Sequence, residues 1–430
     1  MLVLKSKDRY TVNELSLFSE AEMGGFSLEE IIRAYRKCLR GKLGTHEAQL
    51  FQMNYMEECV RLWRDLNAGL YQVSRYISFA SFRPVLREIF GSAFRDRVVD
   101  TLLAEKLVPV LEQLFVIDNY STREGKGCLF AVQRTVEMIR QCSENYTCDC
   151  YLLKDDISSF FMAMSKDIAM KLWSNVVNNY YQGNDRALVE DTLRRIIYDR
   201  PEKHCIFKGN PHDLDGIPPE KLLRNTDGRH GFPIGKMISQ LTALIYLNEL
   251  DHLIAEQWGF PLNGHYMDDR VTVGHTKAEL MAVKQKIDSW HLQHDLHTHP
   301  RKTYLQHYTK GVLFAGAFIL PGRTYVSKRS IGNMFHRLAV FNYRAANDCY
   351  YARRHAEEFA QTMNSYLGLL MHHTEWNTTH RLLREIGPEW YEVMMVDTKG
   401  KGHYRVVLYK NFRPRMRAVT KLKNNIYAKH

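Results

Sequence analysis

From Phe26 to Arg40 the chain reads FSLEEIIRAYRKCLR, and Leu28, Ile31, Ile32, Tyr35 and Leu39 recur at the spacing of one helix face. Ser27 and Glu30 stand at capping-box spacing ahead of that run, and Gly41 closes it. A second helical period runs through YMEECVRLWRDLNAG (55–69). The pattern then changes. YISFASFRPVLREIF (76–90) is β-branched and aromatic with interspersed arginines, which predicts strands with a positive face. AFRDRVVDTLLAEKLVPVLEQLF (93–115) returns to helix, and NYSTREGKG (119–127) is a basic loop containing glycine.

Further on, CYLLKDDISSFFMAM (150–164) predicts a strand, with helices following to about residue 198. The stretch 199–235 is rich in Gly, Pro, Asp and Asn and predicts a long structured loop. SQLTALIYLNELDHLIAEQWG (239–259) predicts a strong helix: Leu241, Leu244, Ile245 and Leu247 keep helical spacing, and Gly259 ends it. A hairpin around 264–274, a helix over about 276–293, short strands near 302–306 and 312–319, and helix from about 327 to 386 complete the chain. No internal repeat or low-complexity linker interrupts it. Strands alternating with helices, with a hairpin that needs antiparallel neighbours, predict an α+β fold with an antiparallel sheet rather than a doubly wound one.

With 430 residues, 45% of them hydrophobic, the chain can bury a large core and form several subdomains. Charge narrows the partners. A net charge of +11 and a pI near 9.1 suggest a polyanion, nucleic acid first and an anionic membrane surface second. The basic excess peaks at the C-terminus, where residues 399–430 hold ten Lys or Arg and no Asp or Glu. Aromatic and apolar residues interleave with them (Phe412, Met416, Val419, Leu422, Tyr427), which favours RNA or partner docking over a merely solubilising tail. The eight cysteines form no CxxC pair, so a reducing compartment is expected, and Cys148 and Cys150 read as buried or strand residues rather than metal ligands. The N-terminus lacks the apolar core of a signal peptide and no 18-residue apolar run follows, so a soluble intracellular protein is expected.

The chemistry gathers in carboxylates. In GHYMDDRVTVG, Asp268 and Asp269 are adjacent between residues that favour strand. They read either as an ordinary acidic turn or as a hairpin tip aimed at a divalent metal. In LLKDDISSFF, strand alternation puts Asp155 and Asp156 on opposite faces, so only one can join a common site. Two such motifs on adjacent strands would hold two magnesium ions about 3.5–4 Å apart, the arrangement for in-line attack at phosphorus. Magnesium needs only one or two carboxylates when substrate phosphates complete its shell. Between the motifs, Gly231, Pro233 and Gly235 make a backbone corner that a base or sugar can approach closely. The histidines at 291, 294, 297 and 299 lack cysteine partners at zinc spacing and read as exposed polar positions at a helix end.

In this order, KDDISSFF, GFPIGKMISQ, HYMDD and HPRKTYLQHYTKGVLFAG resemble the palm of a reverse transcriptase. The resemblance covers roughly residues 70–385. It is closest to the enzymes of diversity-generating retroelements, which have isoleucine in the Pro-Ile-Gly corner and Ser-Gln after it. FRDRVVD, YSTREGKGCLFAVQR and MNSYLGLLMHH agree; KMISQ, and FAG in place of FLG, depart from the usual forms. The resemblance implies a right-hand polymerase with an antiparallel palm sheet and a helical thumb. Its parts would be an N-terminal helical segment (1–68), fingers (69–149), palm (150–320, with an insertion at about 165–230), thumb (321–386) and a basic extension (387–430). It implies metal ligation by Asp156, Asp268 and Asp269 and proton donation by Lys302. Nucleotide contacts would come from Arg83, Arg87, Phe161 (crowding a ribose 2′-hydroxyl), Pro233, Ile234, Gly235 and Gln240, and a primer grip from Phe314 and Gly316.

The implied cofactor is two Mg2+, with Mn2+ as a substitute. The implied partners are template RNA, cDNA and dNTPs, with a small basic accessory protein or a cognate noncoding RNA, and no membrane. The setting would be the cytoplasm of a bacterium, the gene bacterial or phage-borne. The resulting expectation is error-prone copying of template RNA in a retroelement. An antiphage-defence reverse transcriptase working with its own noncoding RNA is the alternative, and a catalytically inert nucleic-acid scaffold the rival from another class. No nuclease, maturase-type DNA-binding or integrase block is recognisable. Ile234 cannot hydrogen-bond as a glutamine there would, and the resemblance links it to loose selectivity opposite template adenine.

Overall fold

A computed structural model describes residues 24–82, 85–398, 400 and 402–409. The chain divides into two compact units, residues 1–307 and 308–430.

In the first unit, α1 (Leu28–Leu39) opens with the expected capping box: Ser27 Oγ accepts from the Glu30 amide at 3.1 Å, and Glu30 Oε2 accepts from the Ser27 amide at 3.0 Å. Helices α2 (His46–Met53) and α3 (Tyr55–Asn67) follow. Strands β1 (Ile77–Ser81) and β2 (Arg87–Gly91) pair antiparallel, and the short β4 (Ile206–Phe207), from within the long loop, adds parallel to β1. Helix α4 (Phe94–Leu114) and helix α5 (Cys128–Cys142) lead to β3 (Tyr151–Asp156).

The expected strand over 150–164 stops at Asp156. Ser159 takes a left-handed conformation (φ 48°), and Phe160–Ala163 form a helical turn, α6. Phe161 therefore sits on a helix. The apolar run ISSFFM has strand-like composition, but Ser158 and Ser159 supply the break. Helices α7 (Lys166–Asn179) and α8 (Arg186–Tyr198), the short α9 (Pro201–His204) and the loop precede α10 (Met237–His252). Strands β5 (Asn263–Tyr266) and β6 (Asp269–Gly274), helix α11 (Lys277–Gln293) and β7 (Tyr304–His307) complete the unit.

The central sheet has the order β5-β6-β3-β7 and every pair is antiparallel, so the α+β expectation matches the observed class. Residues alternate across β3. Leu153 joins the main core with Leu280, Val283 and Ile287 of α11, while Leu152, Lys154 and Asp156 face the other way.

In the second unit, β8 (Val312–Phe314), β9 (Ala317–Leu320) and β10 (Arg323–Val326) form an antiparallel meander. The single strand expected near 312–319 is thus a hairpin, turned by Ala315 (φ 47°) and Gly316 (φ 83°). Helices α12 (Lys328–Asn347), α13 (Tyr351–Arg354), α14 (Ala356–Leu370) and α15 (Trp376–Arg384) follow. The chain beyond 386 is more than a basic extension. Trp390 is fully buried and stacks on Phe359 at 3.8 Å, and strands β11 (Met394–Thr398) and β12 (Tyr404–Leu408) pair antiparallel. Asn364 of α14 holds Val406 through two 2.8 Å hydrogen bonds. The basic stretch beyond 409 lies outside the described residues. Among the described residues no helix is long and apolar enough to cross a membrane.

Candidate active site

Antiparallel pairing sets Asp156, the last residue of β3, directly across from Asp269, the first of β6. Tyr266 pairs with Asp269, which leaves Met267 and Asp268 as a two-residue turn between β5 and β6. Met267 takes a left-handed φ of 58°, a strained conformation for a long side chain. Its amide donates to Ser121 Oγ at 2.6 Å, and the Asp268 carbonyl accepts from the Ile157 amide at 3.3 Å. Both sides of the turn are thereby tied to neighbouring chain, and three carboxylates collect at one end of the sheet.

Their charge is balanced from within. Lys302 Nζ lies 2.9 and 3.0 Å from the two carboxylate oxygens of Asp156, and Lys154 Nζ pairs with Asp269 Oδ1. The Lys302 side chain is 54% exposed and that of Lys154 only 6%. Burial first, and the Asp156 carboxylate second, push the Asp268 carboxyl above its ordinary value, while Lys302 and Arg87 pull it down. Burial likewise pushes the Lys154 ammonium down to about 8, against the pull of Asp156, Asp155 and Asp268.

No three of His, Cys, Asp and Glu among the described residues form a ready-made metal cage. A magnesium ion that keeps waters and substrate phosphates needs no such cage. Asp156 and Asp268 would supply the one or two carboxylates it takes, and a cation would relieve their mutual repulsion. On donor chemistry the residues fit the ion.

Asp155 is not part of this group. It is 2% exposed on the opposite face of β3, across from Arg270. Thr303 Oγ1 donates to it at 3.3 Å and His291 Nε2 lies 3.9 Å away. Burial raises its carboxyl to about 6. His291 is 1% exposed, and burial pushes its imidazole down to about 3. This corrects the reading of the histidine cluster as exposed: His291 lines the core, and His294 stacks on Trp290 at 3.8 Å. Cys150 is buried as expected, but Cys148 is exposed.

The Pro-Ile-Gly corner meets β2. The Phe90 amide donates to the Ile234 carbonyl at 2.9 Å. Gly235 has φ 113°, and a Cβ there would meet the Phe90 carbonyl oxygen at 2.9 Å, so only glycine fits. Ile234 and Phe161 pack on one small cluster of Tyr76, Phe90, Met162 and Leu223, and the Phe232 amide donates to the Phe161 carbonyl at 2.8 Å. Pro233 is buried. Gln240, in the first turn of α10, accepts from Thr122 Oγ1 at 3.4 Å. Arg87, exposed at the start of β2, adds its charge to the field at Asp268. The structure thus gathers Asp156, Asp268, Asp269, Lys302 and Arg87 electrostatically, and Phe161 with Ile234 by packing. Arg83 lies outside the described residues. Phe314 and Gly316 belong to the second unit, where Phe314 is buried beside the β8–β9 turn.

Several contributors escaped the sequence reading. Lys154 stands two residues before Asp156, so period-two alternation already puts it on the same face. Thr303, which accepts from the Asp156 amide at 3.4 Å, follows directly on Lys302. Ser121 lies 146 residues from Met267, and no local pattern links them.

No family model and no curated protein matches the chain. Among solved structures, apo telomerase from Candida tropicalis, truncated from its C-terminal domain, is similar at a TM-score of 0.39 and 14% identity, over 60% of this chain and 56% of that one. Telomerase of the same organism with a TWJ fragment of telomeric RNA gives 0.39 and 12%, over 74% and 54%. The chain therefore spans just over half the length of each. A likeness this loose decides nothing about this chain.

Proposed function

We propose that the chain is an RNA-directed DNA polymerase. The observation that carries the reading is the register of the central sheet, which sets Asp156 against the Asp268–Asp269 turn, with the half-exposed Lys302 as the counter-charge that a cation can replace. Asp156 and Asp268 would hold magnesium, and Asp269, kept in place by Lys154, would border the same site. When bound, two such ions supply the activated primer hydroxyl and the charge stabilisation of the departing pyrophosphate.

The chain's own groups do the rest. Arg87 holds the triphosphate. Lys302 releases Asp156 as the site loads and turns its ammonium toward the pyrophosphate, to which it donates a proton. Phe161 crowds the ribose 2′-position and selects deoxynucleotides. Ile234 and Gly235 border the new base pair through backbone and apolar surface, with no side-chain hydrogen bond. Residues 69–149 act as fingers, the central sheet as palm, and the helices of the second unit as thumb. The surplus of positive charge serves the phosphate backbone.

The biological form we favour is a retroelement enzyme that writes errors opposite template adenine, aided by a small basic accessory protein. A defence enzyme bound to its own noncoding RNA is the alternative, distinguished by the absence of template and variable repeats beside the gene. The test is magnesium-dependent incorporation of labelled dNTPs on a primed RNA template, beside Asp268→Ala/Asp269→Ala. Incorporation lost in the variant is the expected result. If neither protein incorporates, even with co-purified cellular RNA, the chain is the inert scaffold instead.

A further inference from the structure

We propose that Lys236 is a positioning residue for nucleotide binding: its buried ammonium, held by Tyr76 and Asp100, fixes where the Pro233–Gly235 corner sits against β2. The inference rests on the polymerase reading above. Lys236 is 2% exposed, and lysine is rarely buried without a compensating partner. Its Nζ lies 3.0 Å from the Tyr76 hydroxyl, 3.6 Å from Asp100 Oδ1 and 5.4 Å from the centre of the Tyr76 ring. Burial works to strip its proton, but Asp100 and Tyr76 outweigh burial and hold the ammonium above its usual range.

The place of these partners gives the strut its meaning. Asp100 lies on α4, one turn beyond Asp96. Asp96 accepts from the Tyr71 hydroxyl at 2.9 Å and from the Ser74 amide at 3.0 Å. The chain leading into β1 and the corner leading into α10 are therefore hung from two successive turns of one helix. Lys236 closes that frame at the residue next to Gly235, which already touches the backbone of β2. Tyr76 contacts Lys236 through its hydroxyl and packs through its ring in the cluster that receives Ile234 and Phe161. A shift of this ammonium would move the surfaces assigned to base and sugar without touching the carboxylates.

The test measures initial rates against dNTP concentration on a primed RNA template, together with melting temperature. The proteins are the wild-type chain, Lys236→Met, Asp100→Asn, the double variant and Tyr76→Phe. Each single charge change strands a buried partner, so both should melt lower. They should raise KM for dNTP about tenfold, with kcat at saturation within about twofold. The double variant removes both charges; it should recover melting temperature yet keep the raised KM. Tyr76→Phe keeps the ion pair and should raise KM about threefold. A double variant whose KM returns to the wild-type value along with its melting temperature makes Lys236 merely structural and overturns the assignment. Unaltered KM across the series does the same. A wild-type chain that incorporates nothing overturns the polymerase reading and this inference together, so the two failures read differently.

Discussion

Asp155 and Asp156 are neighbours in sequence and live in opposite worlds. Behind the sheet, the buried charge of Asp251 has partners built into the fold. Asp251 is fully buried with Arg270 Nη2 at 2.7 Å and His265 Nδ1 at 2.9 Å. Burial raises its carboxyl, but His265 and Arg270 outweigh burial and hold it below the usual range. In front, the carboxylates repel one another, and one counter-charge, Lys302, stands half in solvent. Asp251 is closed off with fixed partners; on the polymerase reading proposed above, Asp156 keeps a partner that can leave.

The sharpest break in this comparison comes from the front. Asp156→Asn should abolish incorporation, a loss of more than about a thousandfold, and leave melting temperature unchanged or slightly higher, because a repulsion is relieved. A large drop in melting temperature would make Asp156 a structural acid like its neighbour.

Behind the sheet the expectation inverts. Asp251→Ala strands Arg270 and His265 and should cost about 3–5 kcal/mol in denaturant unfolding, with activity per folded molecule little changed. Lys302→Ala should slow incorporation about a hundredfold, with KM for primer-template nearly constant.

A pH titration of stability separates the faces further. The His291 imidazole is held neutral by burial, with its value pushed from 6.5 to about 3. Between those limits the unfolded chain binds the extra proton, so the contribution is full above about pH 6.5 and is lost as pH falls toward 3. His291→Gln should flatten that slope in urea melts taken from pH 7 to 4. The smallest effect belongs to Ile234→Gln, expected to lower misincorporation opposite template adenine with little change in rate; identical error spectra would remove Ile234 from the specificity account.

Much of this contrast was legible in the sequence because a strand has a period of two. That rule alone placed Asp155 and Asp156 on opposite faces, and applied one step further it would have found Lys154. Capping chemistry located α1, and glycine marked the corner where β2 approaches. What failed to show depended on long-range packing. ISSFFM has the composition of a strand, yet two serines and burial on either side make it a turn of helix. HLQHDLHTH looks solvent-facing until α11 is laid on β3 and His291 turns inward. The basic C-terminal region hid Trp390, whose burial is set by Phe359, far earlier in the chain.

Met267 has one more consequence. It is held in a left-handed turn and its side chain packs against the main core, so the residue that presents Asp268 is also an oxidisable thioether. Conversion to the sulfoxide would place a polar, chiral group in that packing and release the turn while the sheet behind it stays folded. Of the 17 methionines in the chain, this one adjoins the carboxylate turn, and Met267→Leu would remove the thioether's share of the site's response to peroxide, leaving that of the exposed thiols such as Cys128.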